Sequence, residues 1–234
     1  LQQESDATDV FGNLTHHTVD VDRTNKLVTD TTDVPDSSTD VLVVAYNGLQ
    51  VKQQSAQNLT TYFHYDSLGR PTETVDPRLG TITTDYASSG TGAVGKVASV
   101  TDAAGNATSY GYDSTTGLLT STTNALSKVS YQSYNDRGQA VRTWGQTTYP
   151  VEYGFDDYGQ QTTLSTFRGG TGWDGSSWPG SPGTADTTTW GYHNATGSLT
   201  WKTDAASHAV GYAYNASGQH ATRTSNRGSV TKYS

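Results

Sequence analysis

The chain has 234 residues, 32% of them apolar, with a mean hydropathy of -0.63 and a formal net charge of -8 from 22 acidic and 14 basic side chains. So few apolar residues suit a disordered chain, but 15 Tyr and 5 Trp do not: rings bury large area per residue, and Thr, Tyr and Val favour strands. Scattered bases argue against nucleic acid or an anionic membrane surface as partner, and the absence of Cys excludes a disulfide framework, a thiolate metal site and a cysteine nucleophile. No apolar run approaches the roughly 20 residues that cross a bilayer, and no charged-then-apolar signal peptide opens the chain. With no Met present, the chain is expected to be an internal or matured segment with further sequence on both sides.

Residues 1–60 read as degenerate β-hairpins. Their strongest signal is Tyr46-Asn47-Gly48-Leu49 between β-branched runs, the chemistry of a tight hairpin turn. The Asp-rich stretch from Asp30 to Asp40, which contains Pro35, is expected to be a loop between strands.

From residue 61 one pattern recurs: an aromatic, one residue, an aromatic, Asp or Asn, then Gly. Full copies are Phe63, Tyr65, Asp66 and Gly69; Tyr110, Tyr112, Asp113 and Gly117; Tyr153, Phe155, Asp156 and Gly159. Further along come Trp190 and Tyr192 with His193 and Gly197, then Tyr212, Tyr214, Asn215 and Gly218. Two weaker copies stand at Tyr134, Asn135 and Gly138, and at Tyr86 and Gly90. Taking the second aromatic as anchor gives steps of 21, 26, 22, 21, 37 and 22 residues.

Two aromatics flanking one small residue place both rings on one face of a strand and the small residue on the other. Asp or Asn can then fold back onto the turn backbone, and Gly supplies the positive φ that closes it. Between copies, Val97 to Asp102, Leu118 to Asn124 and Gln160 to Phe167 read as the return strands. Each unit is thus two strands and two turns. The spacing predicts an all-β chain, a curved strip of about 14 antiparallel strands with its aromatic rows stacked as a ladder.

The 37-residue step holds an insertion rich in Gly, Ser, Pro and Trp, so the boundaries expected are 1–60, 61–168, 169–186 for the inserted loop, and 187–234 for continuing repeats. Trp173 and Trp178 in the loop admit two readings. They are either exposed indole platforms for a sugar ring or partner side chain, or they fold back to plug the strip, with Arg168 and Asp174 satisfying the loop.

Other site chemistry is thin. Aspartates at turn positions already have a structural role, so no paired-carboxylate glycosidase site is assigned. The six histidines, His16, His17, His64, His193, His208 and His220, show no metal-ligand spacing. Asp20 with Asp22, or Asp30, Asp33 and Asp36, lack the Gly and terminal Glu of a calcium loop. No phosphate-cradling glycine loop is present. The reading is of no catalytic residue, no metal and no cofactor. Sequons at Asn13, Asn58, Asn106, Asn194 and Asn215 are what so Thr- and Ser-rich a chain yields by chance.

Tyr65-Asp66-Ser67-Leu68-Gly69-Arg70, Val100-Thr101-Asp102-Ala103-Ala104-Gly105-Asn106 and Tyr110-Gly111-Tyr112-Asp113 closely resemble the YD repeats of bacterial Rhs proteins, across roughly residues 40–234. The resemblance implies a β-strip that spirals into a hollow shell, as in Rhs effectors, the cocooning subunits of insecticidal toxin complexes and the teneurin ectodomain. That shell encloses a toxic or folded segment, or displays binding surfaces. It also implies a secreted or cell-surface location. The family's C-terminal core, with its aspartate-based self-cleavage site, has no counterpart in this sequence, so no catalytic residue carries over. A closed shell needs more units than seven, which leaves two sheet edges open to flanking repeats or to identical copies. Three roles follow: a non-catalytic shell wall, an extracellular adhesive or carbohydrate-binding surface, or a filament subunit assembling edge to edge.

Overall fold

A computed structural model describes residues 1–10, 12–33, 39–90 and 92–233. The chain divides into two compact units, Leu1–Ser109 and Tyr110–Ser234. No helix occurs among the described residues.

In the first unit the strands follow one another as an antiparallel meander. They are β1 (Gln2–Thr8), β2 (Leu14–Asp22), β3 (Leu27–Asp33), β4 (Val41–Tyr46), β5 (Leu49–Gln54), β6 (Thr60–Tyr65), β7 (Pro71–Asp76), β8 (Gly80–Tyr86) and β9 (Val97–Thr101), followed by the start of β10 (Ala107–Tyr112). The second unit continues in the same way. Its strands are β11 (Leu119–Thr123), β12 (Val129–Tyr134), β13 (Ala140–Gly145), β14 (Val151–Phe155), β15 (Gln161–Gly169), β16 (Gly183–Tyr192), β17 (Leu199–Thr203), β18 (Ala209–Tyr214), β19 (His220–Thr224) and β20 (Val230–Lys232).

The all-β antiparallel class expected from the repeat is the fold observed, but the strands number twenty rather than about fourteen. The seven copies account for β6 to β19. The six extra strands are β1 to β5, from the degenerate N-terminal region, and β20. That region pairs fully without the motif because its alternating Val and Thr residues suit a pleated surface.

The aspartate-rich stretch also needs correction: Asp30 and Asp33 belong to β3, not to a loop. Asp30 tolerates a strand position because His17 lies diagonally across from it, with Nε2 2.7 Å from Oδ1. Pro35 and Asp36 lie outside the described residues.

Both strips are thin. Among the described residues only Trp144 and Phe167 are buried apolar side chains, and both lie in the second unit. Cohesion elsewhere must come from the ladder and from what each turn does with its own side chains.

Candidate functional site

The turns show what the repeat is for. In the first copy, Asp66 Oδ1 accepts the amides of Leu68 and Arg70 at 2.9 and 3.0 Å, while the Gly69 amide donates to Asp66 O and the Arg70 side chain reaches Oδ2. Gly69 has φ +78°, a region an L side chain enters only at a cost. Asn135, Asp156 and Asn215 repeat the arrangement through their own side-chain oxygens. Asp113 and His193 head turns one residue longer, closed by Gly117 and Gly197. The opposite ends of the hairpins use the same device, at Asp76, Asp102, Asn124 and Asp204.

These donors hold the carboxyls below their ordinary value: the Arg70 amide chiefly for Asp66, the Leu79 amide for Asp76, the Asn106 side chain for Asp102, the Thr116 amide for Asp113 and the His208 amide for Asp204. Each turn aspartate is therefore an ionised structural acceptor.

Beside each turn the second aromatic sits at a register shift, at Tyr65, Tyr86, Tyr134, Phe155, Tyr192 and Tyr214. Such a bulge re-aims a side chain. The tyrosine hydroxyl then donates to a carbonyl at the entry of the preceding strand: Tyr65 to Gln50 O, Tyr86 to Pro71 O, Tyr134 to Leu119 O and Tyr192 to Gln161 O, all at 2.8 Å. The first three span 15 residues and the last 31, because the insertion intervenes. Burial raises the Tyr134 and Tyr192 hydroxyls above the usual phenol value, which keeps the O–H a donor. Amides add forward clamps, Gln139 Nε2 to Gly159 O and Gln160 Nε2 to Gly197 O.

The small residue between the aromatics has a concrete cause. A Cβ on Gly111 would meet Ser121 Oγ at 2.3 Å, and one on Gly154 would meet Thr163 Oγ1 at 2.3 Å. On Gly191 it would strike the Trp201 indole. The cross-strand side chain lies over the glycine.

In the inserted segment, β15 and β16 run on past the repeat, paired as far as Gly169 and Gly183, and Arg168 meets Asp186 rather than Asp174. Residues 170–182 form the loop. Both indoles pack inward: Trp178 makes edge contacts with Trp144, Phe167 and Trp173 at 5.6, 5.3 and 5.0 Å between ring centroids, and Trp173 lies 5.6 Å from Phe167. Trp144 stacks on Tyr131 and donates Nε1–H to Gly175 O, which pins the loop. Arg142, paired with Glu152 at 2.6 Å, covers the Trp178 ring. Because Arg142 pairs in register with Glu152, and Glu152 with Ser165, this cluster occupies the face of Gly154, opposite Tyr153 and Phe155. Trp173 and Trp178 are half-buried members of it.

A family model described as RHS Repeat matches residues 93–129. Over 98% of its length the chain also superposes on 15% of a chain in a crystal structure of TcdB2-TccC3-TEV, at 15% identity and a TM-score of 0.52. This is a YD/Rhs-repeat protein. A crystal structure of TcdB2-TccC3-Cdc42 is similar at 15% identity and a TM-score of 0.50, covering 99% of this chain and 16% of that one. At this identity the likeness is one of fold, and the YD-repeat chain spans about 15–16% of the length of those it resembles. No curated protein matches it in sequence.

Other polar candidates of the YD-repeat chain are engaged locally. Asp22 Oδ1 accepts the Thr24 and Asn25 amides, which lower its carboxyl, Asn25 chiefly. His16 Nδ1 lies 2.5 Å from Asp6 Oδ1, a bond that raises the imidazole above its usual value. His193 Nδ1 meets Thr196 Oγ1. Sequence reasoning did not foresee the tyrosine-to-carbonyl bonds, the glutamine clamps, or Trp144 and Phe167 as the dry centre. Only the fixed offset from each Tyr to the strand entry hints at the first, and only the Gln after Gly138 and Gly159 at the second.

Proposed function

We propose that this chain is a non-catalytic wall segment of a β-shell that encloses or displays another segment of its parent protein at the cell surface or outside the cell. One observation carries the reading: the residues that recur most, Asp or Asn, Tyr and Gly, are committed to turn amides, strand-entry carbonyls and positive φ. Side chains used for cohesion are not available for turnover. A strip with two buried apolar residues is also the construction expected of a wall rather than of a globule. Flanking repeats or further strands complete such a strip at its edges.

The test is to image the intact parent protein by electron microscopy and to digest it under native conditions. Hollow particles with an internal segment protected from protease are expected. Long edge-to-edge fibres, or equal digestion of every segment, would count against the shell.

A further inference from the structure

The repeat gives its own residues a task, so departures from it that converge in space mark a second use of the strip. Trp190 is the only indole at the first aromatic place, held by Phe63, Tyr110, Tyr153 and Tyr212 in other copies. At the tip of the preceding turn stands Asp157-Tyr158, an acid beside an aromatic, where other four-residue turns carry Ser67-Leu68, Asp136-Arg137 or Ala216-Ser217. Neither departure is needed for cohesion. Tyr158 is 82% exposed, and the fully exposed Asp157 carboxylate reaches only Arg137, at 3.6 Å.

These three residues line one groove of about 610 Å³, together with Asn194 from the next turn and Thr162 from the floor. That volume suits a small ligand. The Gln160 clamp onto Gly197 O ties the two turns that form its walls, so the groove is preformed.

Its chemistry selects the ligand. Indole and phenol faces offer flat apolar surface, and a free carboxylate and amide beside them can take a pair of neighbouring hydroxyls. Charge is already balanced. Asp156 is committed to its turn, Asp157 faces Arg137, and the Lys202 ammonium lies 5.4 Å from the Trp190 ring centroid, where a cationic ligand would otherwise sit. We propose that this groove binds a neutral saccharide, with a sugar ring stacked on Trp190 or Tyr158 and its hydroxyls bonded by Asp157 and Asn194.

The site goes beyond the wall role and is tested apart from it. The whole chain is titrated with a panel of short neutral oligosaccharides of gluco, galacto and manno configuration, followed by tryptophan fluorescence and calorimetry. Binding that survives high salt is expected for at least one of them. Asp157→Ala and Asn194→Ala, both at exposed turn positions, should each weaken it about tenfold, the loss expected for a hydrogen bond to a charged or well-placed polar partner. Trp190→Tyr restores the aromatic used in other copies. It should keep the melting temperature and still lose affinity severalfold. Failure of every neutral oligosaccharide to bind, full affinity in both Asp157→Ala and Asn194→Ala, or binding abolished by salt overturns the proposal.

Discussion

Two stretches of the second unit are built from the same repeat and packed differently. Around β13 to β16 the inserted loop lays Trp173 and Trp178 over Trp144 and Phe167, which are 4% and 7% exposed. Across β17 to β20 nothing covers the corresponding face. Trp201 is 43% exposed there and Val230 53%. Turns, hydroxyl bonds and backbone ladder suffice to make a sheet in both stretches. A dry core needs a second layer, and in this unit an insertion supplies it.

The sharpest way to break that contrast is a pair of truncations followed by urea unfolding. Trp144→Ala should cost about 3–5 kcal/mol, the range for a large buried aromatic, while Trp201→Ala should cost no more than about 1–2 kcal/mol for its half-lost burial. Equal costs would mean the loop is not a core. Next comes acid. The turn carboxyls of Asp66, Asp76, Asp102, Asp113 and Asp204 lie below their ordinary value of 3.8 in the folded chain, so the stability they give is full above that value. It is lost as pH falls through the lowered folded values. Thermal melts should drop only below about pH 4, and Asp66→Asn, which places the side chain of Asn135 and Asn215 in that turn, should blunt the drop.

A smaller effect distinguishes the hydroxyl bonds from the rings that carry them. Tyr134→Phe and Tyr192→Phe should each cost about 1 kcal/mol, the net value of one hydrogen bond, in the capped and the uncapped stretch alike. A loss confined to the capped stretch would show that the bonds depend on the core. Smallest of all are the turns whose positive-φ place holds serine, Ser127 at +58° and Ser207 at +64°. Ser127→Gly and Ser207→Gly should each raise stability by about 0.5–1 kcal/mol, read as a higher melting temperature.

Much of the fold was legible because the repeat states its own geometry. Phe63, Tyr65, Asp66 and Gly69 announce an aromatic face, an acceptor and a left-handed turn residue, and the structure places each in that role. Residues 1–60 were harder. Their strands pair through side chains on adjacent strands, as Asp30 does with His17, and no local pattern encodes such partners. The loop was hardest. Trp173 and Trp178 advertise aromatic surface, but inward or outward packing depends on Trp144 and Arg142, remote in sequence and brought near only by register. Asp157 and Asn194 were invisible as a pair because separate turns carry them.

The tyrosine bond at the insertion carries one more consequence. Tyr192 reaches Gln161 O at the same 2.8 Å as its counterparts, although 31 residues separate the pair instead of 15. The tie closes at the base of the hairpin and does not register what is spliced into its tip. The β15–β16 connection is therefore a socket in which sequence can be gained, lost or exchanged without shifting the frame of the strands downstream, and a foreign segment grafted in place of residues 170–182 would be displayed on a wall that keeps its register.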